Sequence, residues 1–409
     1  MSRSVVRSWN AFFFTPQSPT PVALYRIIYG LLVIADLALL HGDWLTWFGA
    51  NGLVRVDTLR KLAPRIDLDL IWIPLYYDVW IQAFYWVFLL FAVFLTVGFL
   101  SRFSSVVVYV FLNAIIRRDF YITNGGDFLL RFMGFFLMFA PSGAAMSIDR
   151  LLRIWRGKEG LERQTCWPWA QRMLQIQAAL VYLSAFCWKT LGSDWRDGTA
   201  LYYTTRIVQF QRFPMPTLEN GILLRLATWS ALFIELAVGA LVWVRKLRYW
   251  ILLLGVCLHL SIEYSMNLPL FQWIIMAGYV TFIDPADLSR AWAWVRRHIG
   301  GRLGDPVDVI YDGSCPRTAR LADVLRVVDV FGRLNFVDLH SSEVGIAWRA
   351  LAIGRERTRL VISRRGAAYE GSKGIIVISR LVPLLWPLAP LSLILSQPKQ
   401  SLSVAKAVK

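Results

Sequence analysis

Charge is scarce in this sequence. Only 17% of its 409 residues are Asp, Glu, Lys or Arg, 56% are hydrophobic, and no charge occurs from Val79 to Ser101. A soluble domain of this length carries more charge and fewer apolar residues, so an ordinary soluble enzyme is excluded. Acidic residues are the rarer sign. There are 27 Asp and Glu against 44 Lys and Arg, for a formal net charge of +17. That excess does not point to nucleic acid, which is not an expected partner. Most of it lies in short loops between apolar runs, where it sets membrane orientation and meets anionic lipid headgroups.

Cysteine and histidine are few. Cys166, Cys187, Cys257 and Cys315 lie far apart, which excludes a disulfide framework and zinc spacing. His41, His259, His298 and His340 are equally scattered, so no metal site is expected. The first residues, MSRSVVRSWNAFFFTP, lack a clean apolar core and a small-residue cleavage site. No removable signal peptide is expected; residues 1–20 read as an amphipathic segment on the cytoplasmic face.

What the chain has in quantity is apolar runs. Val22–Leu40, Val79–Leu100, Phe103–Ile116, Phe128–Ile148, Met173–Trp188, Leu226–Val244, Trp250–Ser265 and Leu268–Ile283 read as membrane helices. Most can cross about 30 Å of hydrocarbon, and the short ones borrow flanking aromatics. With eight spans, one side collects Arg3, Arg7, Arg102, Arg150, Arg153, Arg156, Lys158, Arg163, Arg245, Lys246, Arg248, Arg290, Arg296, Arg297 and Arg302. Both termini are then cytoplasmic. The opposite loops, 41–78 and 189–225, are rich in Trp, Tyr, Phe and Pro and read as structured lids. The expected fold class is an all-α polytopic membrane bundle of about eight helices with a small C-terminal α/β domain. The expected place is a bacterial inner membrane, with the C-terminal domain in the cytoplasm.

The character changes after Ile283. Residues 286–306 form a basic linker. From Val307 the pattern is soluble α/β: strand VDVIY, turn GSCP, a helix over Thr318–Val330, strands LNFVDL and TRLVIS, and a turn at RRGAAYEG. The tail Ile375–Leu395 is apolar but broken by Pro383, Pro387 and Pro390, which argues for surface contact or helix packing over a ninth span.

A few polar residues stand inside the apolar runs. NAIIRRDFYITNGGDFLLR, from Asn113 to Arg131, carries Arg117 and Arg118 near Asp119 and Asp127. Asn113/Arg117, Asp127/Arg131 and His259/Glu263 each share a helix face. They read either as an ion-pair lock between helices or as a site for an anion or a quinone oxygen. Glu235 is the only charge between Arg225 and Arg245 and has to face inward. Lys189 closes an apolar helix and reads as a desolvated base or as a snorkelling anchor.

Two resemblances cover most of the chain. YRIIYGLLVIADL, NGGDFLLRFMGFFLMFAPSGAAMSID, IQAALVYLSAFCWKTLGSDWRDGTALYY and FIELAVGALVWVRKLRYW…LHLSIEYSMNLPLF make residues 21–285 resemble the HTTM domain. That domain is the transmembrane core of the vitamin K-dependent γ-carboxylase superfamily. The resemblance implies a lysine base beside Asp194 and Trp195, at Lys189 or, counted without gaps, at Thr190. His259 and Glu235 would complete a catalytic set, with Asn113, Arg117, Asp127 and Arg131 lining a polar cavity. No histidine stands at Gly125–Gly126, where the family implicates one, so Glu carboxylation itself is not carried over. VIYDGSCP, NFVDL, YEG and RLVPLLWPLAPL make residues 307–409 resemble the DCC family of thioredoxin-like proteins. Its Cys-x-x-Cys pair is reduced here to Cys315-Pro316-Arg317-Thr318. A dithiol cycle needs two sulfurs, so the domain reads as degenerate, kept for docking or for monothiol chemistry.

The functional expectation is a membrane enzyme acting on a lipid-soluble, quinone-like molecule or a peptide. The cofactor stays open, with a quinone as the candidate. The alternative is a non-catalytic binding, immunity or assembly protein that kept the fold. A transporter ranks last, because no inverted repeat is visible.

Overall fold

The computed structural model of the chain describes residues 3–55, 57–58, 61, 77–118, 122–162, 164–303, 305–341, 361–364, 367–388 and 402–403. Asp119, Arg163, most of 59–76 and the end of the apolar tail lie outside the described residues. The chain forms two compact units, residues 1–149 with 164–285, and residues 150–163 with 286–409.

The first unit is helical. Helix α1 (Arg3–Phe14) is followed by α2 (Thr20–Leu40), α3 (Asp78–Val97), α4 (Ser101–Arg118), α5 (Gly125–Phe139) and α6 (Ile148–Trp155), the last belonging from Arg150 onward to the second unit. Then come α7 (Trp169–Leu191), α8 (Gly221–Leu241), α9 (Arg248–Ser265) and α10 (Phe271–Tyr279). On α2 the buried residues Val22, Tyr25, Tyr29, Val33 and Leu37 recur every three or four positions and join one apolar core. The opposite faces are apolar too: Leu31, Leu39, Trp86, Leu90, Phe233 and Leu253 are exposed. An apolar outer surface of that extent matches lipid rather than water. Among the described residues α2, α3 and α8 are long and apolar enough to cross a membrane by length and composition alone. The unit is a polytopic membrane bundle.

Two of the eight expected segments end differently. The fourth, expected to reach Ile148, stops at Phe139. Pro141 cannot continue a helix, and residues 140–147 form a loop instead. The last is short: α10 begins after Leu270, at φ +58, and passes into a 3-10 turn at Val280–Phe282. Polar side chains set several ends. Asn124 and Asp127 form a capping box at α5, and Asn220 accepts the amides of Ile222 and Leu223 at α8. Asp149 accepts the amides of Leu100 and Ser101, both at 2.8 Å, and so fixes the start of α4.

The second unit holds a five-stranded sheet of order β2-β1-β3-β4-β5. Its strands are β1 (Val307–Tyr311), β2 (Leu334–Asp338), β3 (Val361–Arg364), β4 (Ala367–Glu370) and β5 (Leu402–Ser403). β1 and β2 are parallel, with Val307 opposite Leu334; the other pairs are antiparallel, with Val309 opposite Ile362 and Ile362 opposite Tyr369. The segment expected as a linker is mostly helix α11 (Pro285–Gly300). Helix α12 (Pro316–Val328) makes the crossover from β1 to β2, and α13 (Gly371–Leu381) follows β4. Val377, Ile378 and Leu381 of α13 join Val307, Val309 and Ile362 in the core. This is a thioredoxin-like arrangement, with the described part of the apolar tail used for helix packing.

Candidate functional site

Helix α7 carries two polar side chains that anchor the candidate site, Tyr182 and Lys189. Tyr182 and Lys189 are seven apart, two helical turns, and therefore share a face. Helix α8 packs against it antiparallel. A Cβ on Gly239 would lie 2.6 Å from Leu183 Cγ, and Trp229 Nε1 donates to the Arg196 carbonyl at 3.1 Å. Between those levels Lys189 Nζ is ion-paired with Glu235 Oε1. The Lys189 side chain is 30% exposed and that of Glu235 9%. Lys189 Nζ also lies 4.6 Å from the centre of the Trp195 ring, a cation–π contact. The second oxygen, Glu235 Oε2, is buried with no hydrogen-bond partner among the described residues.

A buried polar chain lies close by. Tyr182 Oη is 2.5 Å from His259 Nε2 on α9 and 2.5 Å from Tyr279 Oη on α10. His259 Nδ1 is 2.5 Å from Gln272 Oε1. All four side chains are buried, and Gln272 Nε2 has no partner among the described residues. Tyr182 also lines an apolar cleft with Leu129, Met133, Ala178, Ile275 and Gly278 that has room for about one water.

The remaining candidates are placed separately. Asp127 accepts the Asn124 amide at 2.7 Å as part of its cap. Asn113 Nδ2 donates to the Tyr109 carbonyl at 2.7 Å, within its own helix. Arg131 lies over the Phe128 and Phe132 rings at 5.2 and 5.1 Å. Arg117 is half-buried and makes no ion pair among the described residues. Its neighbour Arg118 is the buried one, donating to the carbonyls of Val54 at 2.8 Å and Gly49 at 3.0 Å. Of the expected network of Arg117 and Arg118 with Asp119 and Asp127, Asp127 is held in its cap and Arg118 reaches main-chain carbonyls; Asp119 lies outside the described residues. Glu263 pairs with Arg212 at 2.7 Å. Asp194 is exposed at the start of a short turn, with Ser193 Oγ 3.4 Å from its Oδ1.

Several residues escape a reading of the sequence. Tyr182, Tyr279 and Gln272 look like ordinary members of apolar helices. Arg26 is fully buried. Its Nη1 donates to the Ser142 carbonyl at 2.6 Å, and its Nη2 to that of Met146 at 2.5 Å. It holds the loop that follows α5. The only available signal was a single charge in the run YRIIYGLLVI.

In the second unit Cys315 is the N-cap residue of α12, directly after β1. Thr318 occupies the position where a resolving thiol would stand. Its single hydroxyl hydrogen is shared between the carbonyls of Asp312 at 2.5 Å and Cys315 at 3.0 Å, with Asp312 the nearer acceptor. The Ser314 hydroxyl, the Ser314 amide and His340 all donate to the Asp312 carboxylate and hold its pKa below the ordinary value. Elsewhere, burial pushes the Cys166 thiol up to about 11, which leaves it unreactive. No group of His, Cys, Asp and Glu able to hold a metal occurs among the described residues.

The HTTM domain family matches residues 14–286, and the family described as DCC1-like thiol-disulfide oxidoreductase matches residues 309–405. The chain is 23% identical over 225 residues to the uncharacterized protein YitO of Bacillus subtilis (strain 168). That similarity covers 53% of this chain and 72% of YitO. No solved structure matches it. A polytopic bundle joined to a thioredoxin-like sheet, matched by family along most of its length, leaves one assignment: the chain belongs to the HTTM domain family and carries a DCC1-like domain after its membrane core.

Proposed function

We propose that the HTTM core acts on a lipid-soluble molecule that carries a hydroxyl, such as a quinol, by moving a proton at the Lys189–Glu235 pair. The supporting observation is Glu235 itself, with one oxygen paired to Lys189 and the other buried and bare. A bare carboxylate oxygen in an apolar bundle calls for a donor. A ligand hydroxyl supplies one. Transfer of that proton to Glu235 leaves an oxyanion, and the Lys189 ammonium stabilises it in a low-dielectric site. Glu235 is therefore the base of this reading, and Lys189 the cation. Lys189 is partly exposed on a lipid-facing bundle and the cleft takes only about one water, so the ligand approaches from the bilayer. The resemblance of the HTTM core to the γ-carboxylase superfamily supports the same substrate class.

The test is mass spectrometry of lipids that co-purify with the full chain in mild detergent. A quinone or other hydroxylated lipid should be enriched with the wild type and lost from a folded Lys189→Met/Glu235→Leu variant. Well-folded wild type with no enriched lipid-soluble species would sink the reading. A second reading is that the pair is only a lock between α7 and α8 in a binding or assembly protein. It would be upheld if the double variant kept its bound lipid and its role in the cell.

The basic loops support placing the protein in a bacterial inner membrane with the C-terminal domain in the cytoplasm. Reporter fusions after Arg302 active only outside the cytoplasm would reverse that orientation.

A further inference from the structure

We propose that Gln272 is a positioning residue: it fixes the protonation of His259, and so makes Tyr182 and His259 a second proton-accepting couple, at the wall of the apolar cleft. The order of the chain follows from what each atom can do. Gln272 Oε1 only accepts, and it lies 2.5 Å from His259 Nδ1, so Nδ1 carries the hydrogen. A neutral imidazole then has a bare Nε2. Tyr182 Oη is 2.5 Å from Nε2 and has to donate to it. Tyr279 Oη, 2.5 Å from Tyr182 Oη, has to donate in turn. The hydrogen bonds run one way, from Tyr279 through Tyr182 and His259 to Gln272. Burial of all four side chains leaves no bulk water to scramble that order.

The Tyr182 oxygen has two lone pairs, and Tyr279 uses one. The second faces the cleft that Tyr182 lines, which has room for the hydroxyl tip of a molecule reaching in from the bilayer but not for the whole molecule. Such a hydroxyl passes its proton to Tyr182 as Tyr182 passes its own to His259 Nε2. The ligand O–H breaks, the Tyr182 O–H is exchanged, and a new Nε2–H forms. The products are a ligand oxyanion and an imidazolium, and no oxidant or reductant is consumed. The use of this couple rests on the acid–base reading above; its hydrogen-bond order does not.

The order can be read without any ligand. Full-length protein labelled with 15N-histidine in detergent, with His259 assigned by its loss in His259→Gln, should show Nδ1 protonated and Nε2 bare. Gln272→Leu should give a mixture of tautomers or the reverse one, and Gln272→Glu, which keeps an acceptor, should restore the wild-type signature. If Gln272→Leu does not fold, Tyr182→Phe serves. It should shift the Nε2 resonance and leave Nδ1–H in place. A wild-type His259 protonated on Nε2, as a reversed Gln272 amide would produce, overturns the proposal. So does a Gln272→Leu spectrum identical to wild type, or loss of Nδ1–H in Tyr182→Phe. If the expected tautomer appears in protein that binds no lipid, the relay order stands and the proposed function falls.

Discussion

Lys189 and Glu235, 46 residues apart in the chain, meet as an ion pair between two antiparallel helices. Removing one partner strands the other. Lys189→Met on its own should therefore lower stability, by about 3 kcal/mol at the lower end of the range for broken buried pairs, because Lys189 is partly exposed. Adding Glu235→Leu should recover most of that loss. Thermal unfolding in detergent micelles measures both. A single variant as stable as wild type would show that the pair does not hold the helices.

Gly98 ends α3 at φ +71, and a Cβ there would lie 2.6 Å from Arg26 Nη1 and 2.5 Å from Ser147 Cβ. Gly98→Ala should destabilise the bundle by about 2–4 kcal/mol, from left-handed backbone strain and overpacking together. Gly42→Ala, with nothing within 4 Å of its Cβ position, should stay within about 0.5 kcal/mol. Paired melting curves would decide.

Asp312 gives the C-terminal domain an acid limit. Its pKa is held down in the folded state, so folding favours the ionised form. The stabilisation is complete above the unfolded value, about 3.9, and is lost as pH falls through the lower folded value. The hydrogen-exchange protection factors of residues 311–318 should fall as the pH drops below about 4. Asp312→Asn should exchange faster already at neutral pH and show a flatter acid limb.

Cys315 and Thr318 should respond in opposite ways. Cys315 makes no capping hydrogen bond, and serine is a preferred N-cap residue. Cys315→Ser should leave stability equal or up to about 1 kcal/mol higher, with any cellular function intact. Thr318→Ala deletes that shared hydroxyl bond and should cost about 1 kcal/mol. Limited proteolysis of the full chain reports both. Loss of function in well-folded Cys315→Ser would establish a working single thiol.

The eight apolar segments were legible because a lipid-facing helix leaves a long uncharged run. Their ends were less so: Ala140–Gly143 reads as apolar, yet Pro141 stops α5 there. Glu235 was legible as the one charge in its helix, and its place inside the bundle follows from cost alone. Its partner Lys189 was legible as the charge closing an apolar helix, and the resemblance singled it out as a base; the pairing of the two was not legible. Arg117 and Arg118 could not be told apart, because neighbours on a helix differ by about 100° and periodicity alone does not fix the rotation. Arg26 and Gln272 were missed for another reason. Arg26 binds main-chain carbonyls, which every residue offers, and Gln272 binds a histidine on a different helix.

The anchorage of Arg26 has a consequence for how the protein is made. Its carbonyl partners at Ser142 and Met146 lie 116 and 120 residues further along. When α2 leaves the ribosome, none of that loop exists. A lone arginine well inside a span costs about 2.5–3.5 kcal/mol on insertion scales. Until α3, α4 and α5 have followed, α2 has to keep this side chain in a polar groove of the insertion machinery or at the headgroup level. We therefore expect α2 to settle in its final position only together with the helices that follow it. A truncation after Phe139 should leave the first helix poorly integrated, although its hydrophobic run is complete.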